Sequence, residues 1–246
     1  MDPDPTIRLA GLRLAVVTPM ANERETAARF IAEVQRVTAS FAEVRHFIVL
    51  DGMSTDGTRD LVEAMAREDD RVVSVWAPEN RSVVDAYRRG YEAALAGRFD
   101  WVLEIDAGFS HQPSEFTRFV PHLLAGADCV FGSRYAVPGS VAEAPLARRL
   151  VSRGGTRLAN LLLGTRLSDM TSGYQLFSAA ALRRILDAGI RSRGHFFQTE
   201  MKFHARAMAV AEVPITYRAP SPSLNARVLG DAMVNLARLS WVRIRG

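Results

Sequence analysis

Trp101-Val102-Leu103-Glu104-Ile105-Asp106-Ala107-Gly108-Phe109-Ser110-His111-Gln112-Pro113 decides how this chain is read. An apolar run ends abruptly in a carboxylate, then passes through small and polar residues to a proline. A buried strand has this form when it delivers an acid to the rim of a parallel sheet, and ligands of such sheets sit beyond the carboxyl ends of the strands. Asp106 is therefore the first candidate functional residue; an Asp here also suits the plain task of capping the next turn. Glu104 interrupts an otherwise apolar strand, so it is either functional or on an exposed edge.

The same pattern recurs upstream. Leu12 to Thr18 reads as a buried strand stopped by Pro19. Asn22 can cap a helix beginning at Glu23, with Glu25 at the acid position of a capping box, and Phe30, Ile31, Val34 and Val37 keep helical spacing. Phe47 to Leu50 is a second strand, ending at Asp51. Ser54 to Thr58 is a turn that caps a helix carrying Leu61, Val62 and Met65. Val72 to Trp76 is a third strand, and Val83 to Ala96 a third helix. Alternating strands and helices imply a parallel sheet with right-handed crossovers. Asp51 and Asp106 then lie on one edge of that sheet, which favours a nucleotide-type site over two capping residues.

No Gly-x-Gly-x-x-Gly follows the first strand, and no Walker loop is present. Phosphate must be held by arginines, a metal or helix starts. Lys plus Arg number 31 against 27 Asp plus Glu, a net charge of +4, and arginine supplies nearly all the cations. Arginine pairs phosphate in a bidentate fork, which favours an anionic ligand, although a solvated basic surface gives the same count. The arginines are scattered and not striped with aromatics, so no nucleic acid partner is expected. Cys129 stands alone in an apolar run, which excludes an internal disulfide and a cysteine-rich metal site. No run approaches the roughly 18 apolar residues that cross a bilayer. Met1 to Thr6 is Asp- and Pro-rich, unlike a signal peptide. A cytoplasmic protein is expected, one that at most lies on a membrane.

The second half changes character. Cys129 to Phe131 is a short strand leading into Gly132-Ser133-Arg134-Tyr135, and Arg148 to Leu163 is a basic amphipathic helix. Asp169 to Tyr174 is a polar turn before Gln175-Leu176-Phe177. Ser178 to Ala188 and Phe196 to Ala209 read as helices, Glu212 to Tyr217 as a closing strand, and Arg227 to Arg245 as a final helix. That helix is both basic and apolar, which suits a membrane surface, or packing on the domain or on a homodimer partner. His46 reads as a surface residue at the start of a strand. His122 and His204 read as helix-surface or packing residues, His195 as loop or pocket, and Trp76, Trp101 and Trp241 as core or interface.

Several of these stretches together resemble a family. Pro19 to Glu25 resembles the Pro-x-x-Asn-Glu opening of inverting nucleotide-sugar glycosyltransferases with the GT-A fold, and Asp51 to Thr58 resembles their Asp-Gly-x-Ser-Thr-Asp-Gly-Thr turn. Asp106 to Pro113, Gly132 to Tyr135, Asp169 to Tyr174, Phe197 to Glu200 and Glu212 to Ile215 resemble the dolichol- or polyprenol-phosphate mannosyltransferases among them. The resemblance implies an α/β fold: a GT-A, Rossmann-like, mostly parallel central sheet with flanking helices. The likeness spans roughly 12–218, one catalytic domain (nucleotide half about 12–113, acceptor half about 114–218), which leaves 1–11 read as a loose leader and 219–246 as a C-terminal basic helix.

It also implies roles. Pro19, Asn22 and Glu23 would border the base and ribose, and Asp51 would hold the base edge. Asp106 would face the ribose and the metal-diphosphate. Arg134 would reach a phosphate, Arg148, Arg149 and Arg153 would form a basic segment near the acceptor, and Gln198 and Glu200 would line the sugar or acceptor pocket. The donor would be a GDP- or UDP-sugar, the acceptor a polyprenyl phosphate and the cofactor Mg²⁺ or Mn²⁺. The family's Asp-x-Asp is Asp106-Ala107-Gly108 here, so the second metal ligand is missing. Asp106 with Ser110 or His111 and water, Glu104, or arginines alone would then serve. A phosphate acceptor needs no strong general base; an alcohol or amine would make Glu200, Asp169 or His111 candidates. The rival readings are a soluble transferase acting on a small-molecule acceptor and a catalytically silent nucleotide-binding descendant.

Overall fold

Strand β1 (Arg13–Met20) is buried over most of its length and carries the sheet. The computed structural model describes residues 8–137, 140–141, 146–194, 196–218 and 226–245. β1 runs through Pro19, where the sequence predicted a stop. The Val17 carbonyl accepts from the Ile105 amide on the side of β4 (Trp101–Glu104). Pro19, two residues on, turns the same way, and there the pairing with β4 has ended at Val17 and Glu104. A residue without an N–H therefore costs no ladder bond. Pairing with β2 (Glu43–Leu50) continues to Met20 and Leu50 on the other side.

Helices fill the crossovers. α1 (Ala27–Thr38) buries Phe30, Ile31 and Val34, and α2 (Thr58–Glu68) buries Val62. β3 (Val72–Trp76) and α3 (Val83–Ala96) fall on the residues the sequence predicted, with Ser82 capping α3 by accepting from the Asp85 amide at 3.2 Å. The short α4 (Val120–Leu124) precedes β5 (Cys129–Ser133). Then come β6 (Ser140–Val141), α5 (Leu146–Leu163), β7 (Gln175–Ser178), α6 (Ala179–Asp187), α7 (Phe197–His204), β8 (Val210–Pro214), β9 (Thr216–Tyr217) and α8 (Ala226–Arg245).

The main sheet has seven strands in the order β3-β2-β1-β4-β7-β5-β8, and β6 pairs with β9 in a second, small one. All neighbours in the main sheet are parallel except β7, which runs antiparallel to both β4 and β5. Alternate side chains of β1 enter opposite cores: Leu14 and Val16 meet Phe30 and Ile31, while Ala15 and Val17 meet Tyr87, Tyr91 and Phe177. A sheet covered on both faces explains why its strands read as continuous apolar runs. A third cluster joins Ala159 and Leu163 of α5, Phe203 of α7, and Leu236 and Leu239 of α8.

His46 corrects its sequence reading. β2 begins at Glu43, four residues earlier than Phe47, so His46 lies inside the sheet and not at its end. The ring is fully buried, bonds Thr18 Oγ1 at 2.9 Å, and burial pushes its pKa down to about 3.

Candidate active site

Leu50 and Glu104 both end strands that flank β1 and run parallel to it. Asp51 and Asp106 therefore leave the sheet at the same rim, one strand apart. Two inter-strand spacings of ~4.8 Å put them about 10 Å apart across the strands. The register sets Asp106 level with Pro19 and Asp51 level with Ala21.

Asp106 is held from behind. Tyr87 of α3 donates its hydroxyl to Asp106 Oδ1, while Oδ2 lies 3.4 Å from His111 Nδ1. The Asp106 side chain is still 41% exposed, so one side faces outward. A Cβ added at Gly173 would lie 3.3 Å from Asp106 Oδ2, 3.4 Å from Glu104 Oε1 and 3.0 Å from Gln198 Nε2. A side chain at 173 would press on these groups, which would have to give by a few tenths of an ångström.

Glu104 is buried, which settles the choice left by the sequence against an exposed edge. Its carboxylate accepts from the Tyr91 hydroxyl and from the amides of Gln175 and Gln198. Burial nonetheless pushes its pKa up to about 8. Tyr87 and Tyr91 are four apart on α3, so both face the sheet, and their rings stack with each other and with Phe197 at 5.9–6.5 Å. The sequence reading missed Tyr87, Tyr91 and Gln175; the helical spacing of the two tyrosines was the available signal.

The loop after β1 is fastened to the loop after β2. Asn22 does not cap a helix as predicted: α1 starts at Ala27, and Asn22 has φ +57. Its Oδ1 accepts from the Thr55 amide at 2.9 Å, its own amide donates to Ser54 Oγ, and the Glu23 amide donates to Thr58 Oγ1 at 2.8 Å. Asp51 Oδ1 accepts from the Met53 amide at 3.0 Å, which shapes the turn it begins. Thr26 donates its hydroxyl to Glu23 Oε2. Ser110 Oγ turns back to the Ala107 carbonyl at 3.5 Å.

On the acceptor side, Arg134 pairs with Asp169 through two parallel bonds, Nε to Oδ2 at 2.7 Å and Nη2 to Oδ1 at 2.9 Å. Asp169 is fully buried; burial would raise its pKa, but the Arg134 guanidinium holds it below the usual carboxylate range. Lys202, the only lysine of the chain, is buried beneath and donates to the carbonyls of Asp169 and Ser172. Arg134 and Arg153 both lie over the Tyr135 ring, at 5.6 and 5.1 Å. The side chains of Arg148 and Arg149, and all of His195, lie outside the described residues.

Glu200 is not brought to this cluster. Gln198 and Glu200 are two residues apart on α7, about 200° around it. Gln198 faces Glu104, while Glu200 faces α8, where Arg238 Nη2 donates to it at 2.7 Å. It also accepts from the amides of Arg191 and Ser192. Burial opposes its charge, yet His204, Ser192 and Arg238 outweigh that and hold its pKa at about 2.

Among the described residues no three His, Cys, Asp or Glu side chains gather closely enough to hold a metal unaided. Mg²⁺-type sites need only one or two carboxylates when substrate phosphates and water complete the shell. Asp106 meets that need, and His111 beside it is 2% exposed with neither ring nitrogen hydrogen-bonded. The residues present fit a divalent ion shared with a diphosphate.

Residues 15–186 match the model of the family described as Glycosyl transferase family 2. The undecaprenyl-phosphate mannosyltransferase of Micrococcus luteus is 30% identical over 233 residues, 92% of this chain and 93% of that protein. The polyprenol monophosphomannose synthase of Mycolicibacterium smegmatis is 31% identical over 217 residues, 87% of this chain and 80% of that protein. Among solved structures, glucosyl-3-phosphoglycerate synthase from Mycobacterium tuberculosis with UDP has a TM-score of 0.67 at 20% identity, covering 99% of this chain and 86% of that one. The same enzyme with Mn²⁺, UDP and phosphoglyceric acid gives 0.67 at 19% identity, over 99% and 84%. At these identities the likeness shows the fold.

Proposed function

This chain belongs to glycosyl transferase family 2, and we propose that it moves one sugar from a nucleoside diphosphate-sugar to a polyprenyl phosphate, with inversion at the anomeric carbon. The observation that carries the acceptor class is the state of the candidate bases. Glu200 and Asp169 are fully buried and bound to arginines, and His111 is 2% exposed. An alcohol acceptor needs a base to take its proton. A phosphate monoester is already anionic and attacks without one. The two relatives at 30 and 31% identity, whose names carry an undecaprenyl phosphate and a polyprenol, support the same acceptor.

The chain's residues divide the work. Asp51 and the loop of Pro19, Asn22 and Glu23 border the base and ribose. Asp106, oriented by Tyr87, stands at the diphosphate end. Gln198, fixed by Glu104 and Gln175, lines the sugar pocket, and Arg134 with Arg153 faces the acceptor phosphate. A bound Mg²⁺ or Mn²⁺ would neutralise charge building on the departing diphosphate. Glu200 ties α7 to α8 and takes no part in proton transfer.

The lipid end of the acceptor calls for a membrane face, and α5 with α8 supplies one. α5 carries no acid in its sequence and α8 only Asp231, against four arginines in each. Leu161 and Leu162 of α5 and Met233, Val234, Trp241 and Ile244 of α8 are exposed. Apolar side chains among cations suit an anionic lipid surface. No helix among the described residues is long and apolar enough to cross the bilayer.

Radiolabelled GDP-mannose or a UDP-sugar, incubated with the protein and polyprenyl phosphate, tests the reading. Label extracted into butanol only when polyprenyl phosphate is present supports it. Transfer to soluble alcohols with none to the lipid contradicts it.

A further inference from the structure

Gly108 has φ +75, and the Glu23 carboxylate fills the place where its side chain would begin: Oε1 lies 2.7 Å and Oε2 3.1 Å from the Cβ position. No side chain at 108 can coexist with Glu23 so placed. Thr26 fixes the carboxylate by donating to Oε2, and Oε1 is the oxygen nearest the glycine. The turn itself is held down by Phe109, at φ +59, whose ring packs edge-on against Phe30 at 5.4 Å. Asp106 precedes this turn by two residues with its side chain 41% exposed. The nearly buried His111 ring, neither nitrogen hydrogen-bonded, brings Nδ1 to 3.4 Å from Asp106 Oδ2. The acid at the strand end and a second carboxylate carried in from another loop thus flank one turn, with the nearly buried imidazole beside the first.

We propose that Glu23 supplies the second carboxylate of a divalent cation site whose first is Asp106, from the space left open by Gly108. Carboxylate oxygens suit Mg²⁺ and Mn²⁺, and two of them suffice beside a diphosphate and water. Gly108 serves to admit the Glu23 carboxylate, and a side chain there would expel it. The inference rests on Asp106 standing at the diphosphate end.

Mn²⁺ titration followed by electron paramagnetic resonance, with GDP or UDP present, tests it on the wild type, Glu23→Gln, Asp106→Asn and the double variant Glu23→Ala/Gly108→Asp, in which the space at 108 is vacated. Both single variants should bind Mn²⁺ at least about tenfold more weakly. The double variant should return to within about threefold of wild type, because Asp tolerates left-handed backbone and restores a carboxylate at that point. Unchanged affinity in Glu23→Gln with loss in Asp106→Asn overturns the role of Glu23 and leaves the proposed function standing. No loss in either overturns the placement of Asp106. Loss in Glu23→Gln without recovery in the double variant assigns Glu23 to loop structure and overturns the inference.

Discussion

The Tyr87 hydroxyl donates to Asp106 Oδ1, so a helix-borne phenol sets the direction of the acid at the sheet rim. The Tyr87 ring is separately fixed by stacking on Tyr91 and Phe197. Tyr87→Phe keeps that packing and removes only the bond. Its thermal stability should fall by about 1 kcal/mol, the net worth of one hydrogen bond. Steady-state assays should show kcat lower by about tenfold with the donor KM little changed, as for a lost orienting contact. An unchanged kcat would show that Asp106 needs no such support.

His46 makes stability depend on pH. Its folded pKa of about 3 lies below the ordinary value of 6.5, because burial disfavours the imidazolium. The unfolded chain therefore binds more protons between those values. Its contribution is fully present above pH 6.5 and is lost as pH falls toward 3. Melting temperatures from pH 7 to 4 should decline in the wild type. The decline should be shallower in His46→Leu, whatever that variant's offset at pH 7. Parallel curves would assign the acid sensitivity to other groups.

Much of this fold was legible because local chemistry and tertiary structure agreed. Val72–Trp76 and Val83–Ala96 fall where the apolar pattern put them, and the shared rim of Asp51 and Asp106 follows from parallel pairing on either side of β1. Position along the chain does not show which strands become neighbours. The antiparallel insertion of β7 between β4 and β5 was therefore not readable, nor was Gln175 meeting Glu104 across it. Asn22 carries the composition of a cap yet spans two loops, because its partners lie 31 to 33 residues away. The burial of Glu200 against Arg238 depends on where α8 docks, a long-range outcome with no local signal.

That docking predicts a stability effect. Glu200→Ala would take this acceptor from the partly exposed Arg238 guanidinium and from the amides of Arg191 and Ser192. Losing a charged acceptor shared by several donors costs about 1–3 kcal/mol. Denaturant midpoints should therefore drop sharply, and proteolysis should release α8 first. If Glu200→Gln instead keeps full stability and abolishes transfer, Glu200 belongs to the chemistry.

Replacing Leu161, Trp241 and Ile244 with serine together should reduce sedimentation with phosphatidylglycerol vesicles at least about tenfold, since these side chains are 74%, 55% and 75% exposed and little else holds them. Transfer to a short-chain, water-soluble prenyl phosphate should stay at the wild-type rate. Equal vesicle binding by both proteins would remove the α5 and α8 face from the account.

The central claim is that two acids at one rim grip opposite ends of the activated sugar's nucleotide. Donor kinetics of Asp51→Asn and Asp106→Asn, measured side by side with polyprenyl phosphate as acceptor, test it most directly. Asp51→Asn should raise the donor KM by about tenfold and spare kcat, as loss of uniform binding does. Asp106→Asn should lower kcat by at least about a hundredfold, as loss of charge stabilisation in the transition state does. Wild-type kinetics in both variants would contradict the account.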